Sequence, residues 1–178
     1  MKKLSHDEIA VQRLKHEEIK DDHRLPVIAI LDSVRSLYNV GSMFRTADGV
    51  LLKKLILTGF TPHPPRKEIE KTALGSTRSV PWEYCPSSIE AITCVKSEGY
   101  KMCCLELAKE SIPYYGIKKA DFPLCLIVGN EINGVSKDLM AHCEIALEIP
   151  MFGTKQSLNV AVAFGISIFE LSRVWRSA

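Results

Sequence analysis

Short apolar runs rich in β-branched residues alternate with helix-patterned segments along most of this chain, and that alternation limits the folds open to it. The first run, VIAIL at 27–31, contains no polar residue, which is the pattern of a strand buried on both faces. It is followed by a helix-patterned stretch at 39–50, KLILTGF, a helical RKEIEKTALG, SVPWEY, a helix from Ser88 to Gly99, KMCCLEL, LCLIVG, a short helix after Ser136, EIALEIP and a long final helix. This rhythm predicts βαβ units, hence an α/β fold with a mostly parallel sheet flanked by helices. Ligands of such sheets bind beyond the carboxyl ends of the strands, so the loops that follow strands are where the chemistry is expected.

The 178 residues, 46% hydrophobic, suffice for one ordinary core. Residues 1–24 read as a charged N-terminal helical arm: Ser5 and Glu8 stand at capping-box spacing, and only Ile9, Val11, Leu14 and Ile19 offer apolar handles. Residues 25–178 read as a single domain. A formal charge of +2 neither demands nor excludes a polyanionic partner, because clustering matters more than the sum.

Cys85, Cys94, Cys103, Cys104, Cys125 and Cys143 lie mostly in apolar runs, and MKKLSHDEIA lacks a signal-peptide core. The cysteines are therefore expected to be reduced and buried in a cytoplasmic protein. There is no C-x-x-C pair and the histidines are scattered, so no metal is assigned. No apolar run reaches the roughly 18 uncharged residues of a membrane span, and no membrane anchor is expected.

Three loops carry polar residues. In NVGSMFRTADGV (39–50), Asn39 is expected to cap a helix whose apolar face is Val40, Met43, Phe44 and Ala47. Arg45 points away from that face. Gly41 lies one turn before it, so the guanidinium would lie along bare backbone or meet a ligand phosphate; an ordinary solvated arginine fits the segment equally.

The second loop, Gly129 to Ser136, has the outline of a phosphate-binding P-loop, but Val135 stands where the lysine belongs and Glu131 would repel a triphosphate. A plain strand-to-helix turn with Ser136 as N-cap accounts for it as well. In the third, Met151 to Asn159, Ser157 is expected to cap the final helix, with Asn159 in its first turn. That helix is apolar on nearly every side through Ile168, and a dimer interface is the simplest cover.

Taken in order, N39-x-G-x-x-x-R45-T-A, G129-x-E131-x-x-G134-x-S136 and I149-P-M-x-G-x-x-x-S157-L-N159-V resemble the three motifs of the SpoU (TrmH-like) family of RNA ribose 2′-O-methyltransferases, over residues 27 to 174. The resemblance implies a SPOUT fold whose C-terminal chain is threaded into a deep trefoil knot, a rare exception to ordinary chain topology. It also implies a homodimer through the C-terminal helix, S-adenosyl-L-methionine as cofactor, and a ribose 2′-hydroxyl of tRNA or rRNA as methyl acceptor.

Carried over position by position, the resemblance puts Leu105, Gly129, Ile149, Met151, Ser157 and Leu158 around the cofactor, and makes Arg45 the catalytic arginine, arranged by Asn39, Glu131, Ser157 and Asn159. The stretch KTALGSTRSV resembles a family segment beside the active site, which nominates Lys71, Thr72 and Arg78, with Arg45, for RNA contact. The chain departs from the commonest pattern at Ile132, where many members have glycine, and at Ala161, where many have serine. Two other readings stay open: a catalytically silent RNA-binding dimer of the same fold, and a P-loop nucleotide hydrolase, which Val135 and Glu131 disfavour.

Overall fold

The computed structural model describes residues 1–11, 14 and 18–177. The N-terminal arm opens with α1 (His6–Val11), where Ser5 Oγ accepts from the Glu8 amide and Glu8 returns its carboxylate to the Ser5 amide, the capping box expected. Residues 12, 13 and 15–17 of the arm lie outside the described residues. Val11 and Leu14 are exposed and Ile9 is half-buried, so what is described of the arm adds little to the core.

Seven strands form one sheet: β1 (Leu25–Asp32), β2 (Leu52–Thr58), β3 (Trp82–Cys85), β4 (Lys101–Leu105), β5 (Ile112–Pro113), β6 (Leu124–Val128) and β7 (Ile145–Glu148). Their order is β3-β2-β1-β6-β4-β7-β5, and every neighbouring pair is parallel. The two-residue β5, at the sheet edge, has no counterpart in the expected run of strands.

The period of two along β1 divides the core. Leu25, Val27, Ala29 and Leu31 face one layer, while Ile28 and Ile30 face the other. On the first face pack α2 (Leu37–Gly49), α3 (Lys67–Ala73) and α6 (Val160–Arg176), through Val40, Met43, Phe44, Ala47, Ile69, Ala73, Phe164, Ile168 and Leu171. On the second lie α4 (Ser88–Ser97) and α5 (Lys137–Met140), through Ala91, Ile92, Val95 and Leu139. Each fully buried large side chain, such as Phe44 or Phe164, contributes roughly 1.5–3 kcal/mol by leaving water.

Local signals stop and start the helices where side chains can satisfy their ends. Ser87 caps α4 at the Glu90 amide, and Ser136 caps α5 at the Leu139 amide, as expected for the latter. Leu74 and Gly75, both at positive φ, end α3.

Two expected caps are corrected. Ser36, not Asn39, caps α2; its backbone is extended and its Oγ accepts from the Asn39 amide, while Asn39 is already inside the helix. Asn159, not Ser157, caps α6, its Oδ1 accepting from the Ala161 and Val162 amides. An N-cap must keep non-helical backbone while its oxygen reaches two or three residues on, and in both loops the neighbouring polar residue meets that condition.

The placement of Gly41 is corrected too. It is buried, and a Cβ there would lie 2.1 Å from Thr72 Oγ1 and 2.3 Å from the Ile69 carbonyl oxygen, so this glycine admits α3 against α2 and leaves no gap beside Arg45. The cysteines carry no disulfide among the described residues, but Cys94 is exposed on α4 and Cys85 and Cys143 are half-buried; only Cys103, Cys104 and Cys125 are interior. No helix among the described residues is long and apolar enough to cross a membrane.

Candidate active site

β1 and β6 are neighbours, yet β1 continues into α2 on one face of the sheet and β6 into α5 on the other. Where neighbouring strands send their helices to opposite faces, their carboxyl ends leave a crevice. A cavity of about 430 Å³ opens on the β6 side of this crevice, lined by the ends of β4, β6 and β7 and by the loops 129–135 and 149–159.

The loop after β6 is fixed by its own chemistry. The Asn130 amide donates to the Gly134 carbonyl at 3.1 Å, the Gly134 amide returns the bond at 2.9 Å, and Asn130 Oδ1 accepts from the Ile132 and Asn133 amides. Gly129 sits so close to the closing strand of this turn that a Cβ would lie 2.2 Å from the Gly134 carbonyl. Gly134 has φ +64°, and a Cβ there would lie 2.0 Å from Glu106 Oε2. Both glycines are therefore required by backbone approach, and the second also by backbone angle.

Glu106, just beyond β4, accepts from the Val135 amide at 2.9 Å through that same oxygen and so ties two cavity walls together. Sequence reasoning passed over it; a carboxylate directly after the apolar run KMCCL was the available signal.

Glu131 leaves this loop toward α2. Its carboxylate accepts from the Arg35 amide at 2.8 Å, the Ser36 amide at 3.1 Å and Asn39 Nδ2 at 3.0 Å. Partial burial pushes its pKa up, but the amide and side-chain donors outweigh that and hold it below the ordinary carboxylate value. The positive end of α2 favours the same ionised form. Asn159 Nδ2 in turn donates to Asn39 Oδ1 at 3.2 Å. Three residues far apart in sequence, from the first turn of α2, the loop after β6 and the cap of α6, thus form one continuous hydrogen-bonded line.

All six positions nominated around the cofactor, Leu105, Gly129, Ile149, Met151, Ser157 and Leu158, line the cavity, as do Glu131 and Asn159. Ile132, at the departure from the usual pattern, is also on its wall and largely exposed. The lining includes the carboxylates Glu106, Glu131 and Glu148 and no lysine, arginine or histidine. An anionic triphosphate would be repelled there, which removes the physical basis of a P-loop hydrolase.

Arg45 is not in that lining. It is exposed on α2 and borders a separate shallow depression with Ser42, Thr46, Lys71, Thr72 and Phe169. Lys71 and Thr72, nominated with it for RNA, are therefore its neighbours; Thr72 Oγ1 also donates to the Tyr38 carbonyl at 3.1 Å, pinning α3 to α2. Arg78 is elsewhere, its guanidinium over the Gly75 turn. Among the described residues no group of three or more His, Cys, Asp or Glu could hold a metal ion.

With this geometry in place, comparison with known proteins defines the class as an RNA methyltransferase. The chain belongs to the SpoU rRNA Methylase family, whose model matches residues 26–169. The tRNA (guanosine(18)-2′-O)-methyltransferase of Aquifex aeolicus is 31% identical over 166 residues, covering 91% of this chain and 76% of that protein. The crystal structure of the A. aeolicus TrmH/SpoU tRNA modifying enzyme superposes with a TM-score of 0.76 at 30% identity, over 85% of this chain and 76% of that one. An AdoMet-bound rRNA methyltransferase from Sinorhizobium meliloti gives a TM-score of 0.80 at 30% identity, over 88% of this chain and 60% of that one. Other curated relatives extend further beyond the match, which spans 61% and 63% of two of them.

Proposed function

We propose that this protein transfers a methyl group from S-adenosyl-L-methionine to a ribose 2′-hydroxyl of tRNA or rRNA. One observation carries the reading: an acidic cavity without a single basic side chain lies at the strand ends, while a separate depression on the same molecule carries Arg45 and Lys71. The first suits a cationic cofactor and the second an RNA phosphate.

The residues present fit the cofactor. The cavity has the size of a small-molecule site. Its apolar wall of Leu105, Val128, Leu147, Ile149, Met151 and Leu158 suits a purine, and its carboxylates suit positive charge. S-adenosylmethionine supplies the activated methyl group when bound. Gly129 and Gly134 allow the tight turn that forms one wall, and Glu106 keeps the two walls in register.

Asn39, Glu131 and Asn159 act as positioning residues: the line they form joins the start of α2, which carries Arg45, to the cavity loops. Ser157, exposed at the cavity, would orient the acceptor. Arg45 presents only N–H donors and no acceptor atom, so it is not suited to take the hydroxyl proton. Its planar fork would instead bind the phosphate beside the acceptor ribose and stabilise the developing alkoxide, while phosphate or water takes the proton.

Arg45 shares its depression with Phe169, which is 54% exposed on α6, and Val162 two turns earlier is 50% exposed. This supports a homodimer packed through α6, which would cover both side chains and bring Arg45 to the interface, beside a partner's cavity. The return of 149–159 to the hollow already lined by 129–135 supports a knotted C-terminal chain. An RNA substrate and six thiols without disulfides support a cytoplasmic location.

The test is to incubate the purified protein with methyl-labelled S-adenosylmethionine and total RNA and to map the label. A labelled 2′-O-methylribose is the expected product. A base-methylated nucleotide would overturn the acceptor, and cofactor binding without any RNA product would favour the silent RNA-binding dimer.

A further inference from the structure

β3 is one of the two edge strands of the sheet, and Trp82 and Tyr84, two residues apart, share its face. That face is the one covered by α2 and α3, because the Trp82 ring meets Phe44 of α2 edge-on at 6.1 Å. The loop after β2 folds over the same two rings. His63 stacks on Trp82 with centroids 6.2 Å apart and planes 26° apart, and its ring lies 4.8 Å from that of Tyr84. The Tyr84 hydroxyl donates to the Gly59 carbonyl at 2.6 Å and so pins the loop. Yet the stack is open to water: His63 is exposed and Tyr84 is 40% exposed, and Phe60, in the same loop but outside the stack, is 65% exposed. Aromatic rings held rigidly but left in water are costly unless a partner covers them.

The charge beside these rings indicates which partner. The loop runs directly into α3, where Lys67 and Lys71 stand one turn apart and Lys71 borders the depression of Arg45. Lys67 and Lys71 thus place two cations between the aromatic loop and the arginine, on a helix that also carries Glu68 and Glu70. Rings at one end and cations along the way are the combination by which proteins hold single-stranded RNA, stacking bases and neutralising phosphates.

We propose that His63, Tyr84 and Phe60 form a platform on which an unpaired nucleobase of the substrate RNA stacks, a few nucleotides from the ribose presented at Arg45. The inference rests on the RNA-methyltransferase reading and adds to it a site for one exposed base, so that a looped or single-stranded region is selected over a continuous duplex.

The test measures binding of the full chain to a fluorescent adenylate dodecamer and to the same dodecamer of abasic ribose phosphates. His63→Ala and Phe60→Ala should each weaken adenylate binding about fivefold or more, with His63→Tyr restoring it. Binding of the abasic strand, affinity for S-adenosylmethionine and melting temperature should stay as in the wild type. Both alanine variants binding adenylate within twofold of the wild type would overturn the platform. A wild-type protein that binds neither strand nor any cellular RNA would instead overturn the RNA reading beneath it.

Discussion

The side-chain amide of Asn159 donates to Asn39 Oδ1 at 3.2 Å across a sequence separation of 120 residues. Asn39 spends its own Nδ2 on Glu131, and Asn159 spends its oxygen capping α6. Asn39 is therefore donor and acceptor at once, a role no carboxylate fills near neutrality. Asn39→Asp should place two negative groups side by side and lower kcat/KM at least tenfold. Single-turnover methylation checks this, with circular dichroism confirming the fold; a loss below threefold counts against a positioning role for this line.

Glu131 stabilises the start of α2 only when ionised. Because its folded-state pKa lies below the ordinary value, the unfolded chain binds its proton first as pH falls. Its contribution is fully present above the unfolded value near 4.3 and is lost as pH drops through the lower folded value. Glu131→Gln should cost roughly 0.5–2 kcal/mol at neutral pH, the range of a lost helix cap, and should flatten the acid limb of the stability curve. Urea unfolding at a series of pH values measures both.

Gly41→Ala sets two effects against each other. Alanine gains about 1 kcal/mol over glycine within a helix. The added methyl would meet Thr72 Oγ1 at 2.1 Å and the Ile69 carbonyl at 2.3 Å, and overpacking of this kind costs typically ~1–3 kcal/mol. The clash involves backbone that cannot rotate away, so net destabilisation is expected, with a lower thermal midpoint. An unchanged or raised midpoint would mean that α3 can retreat from α2.

Gly134→Ala should act on the cavity. The substitution combines strain at φ +64° with a methyl thrust into the Glu106 carboxylate, which holds the Val135 amide. Calorimetry with S-adenosylmethionine is expected to show at least tenfold weaker binding, with RNA affinity little changed. Equal loss of both would point to a global defect.

Arg45→Lys keeps the charge and removes the fork. If the guanidinium grips a phosphate through two parallel bonds, turnover should fall about a hundredfold or more with RNA affinity reduced only a few fold. Near-normal turnover would show that a point charge is enough.

Much of the scaffold was legible. The runs 27–31 and 124–128 are short, wholly apolar and include β-branched residues, and such segments have few places to go except the middle of a parallel sheet. Ser136 was readable as a cap because it stands alone before its helix. Asn39 and Ser157 were misread because each has a second capping residue two or three positions away, and the path of the chain out of the preceding strand decides between them. Gly41 was misread for a similar reason: a glycine shows where something approaches but not what, and here it was Ile69 and Thr72 of a different helix. β5 escaped because two residues carry no periodicity. The charge contrast between the hollows was also hidden, since Glu106, Glu131 and Glu148 meet only in three dimensions.

If the two hollows take cofactor and RNA as proposed, that contrast would sort the ligands before either touches the protein. On the proposed reading, a polyanionic strand drifting toward the crevice at the strand ends would be turned back by its carboxylates and would settle on the guanidinium side, within the ten or so ångströms over which such fields survive physiological salt. What reached the methyl donor would then be a sugar hydroxyl held at arm's length by its own phosphate, with the cofactor's berth left clear of the strand.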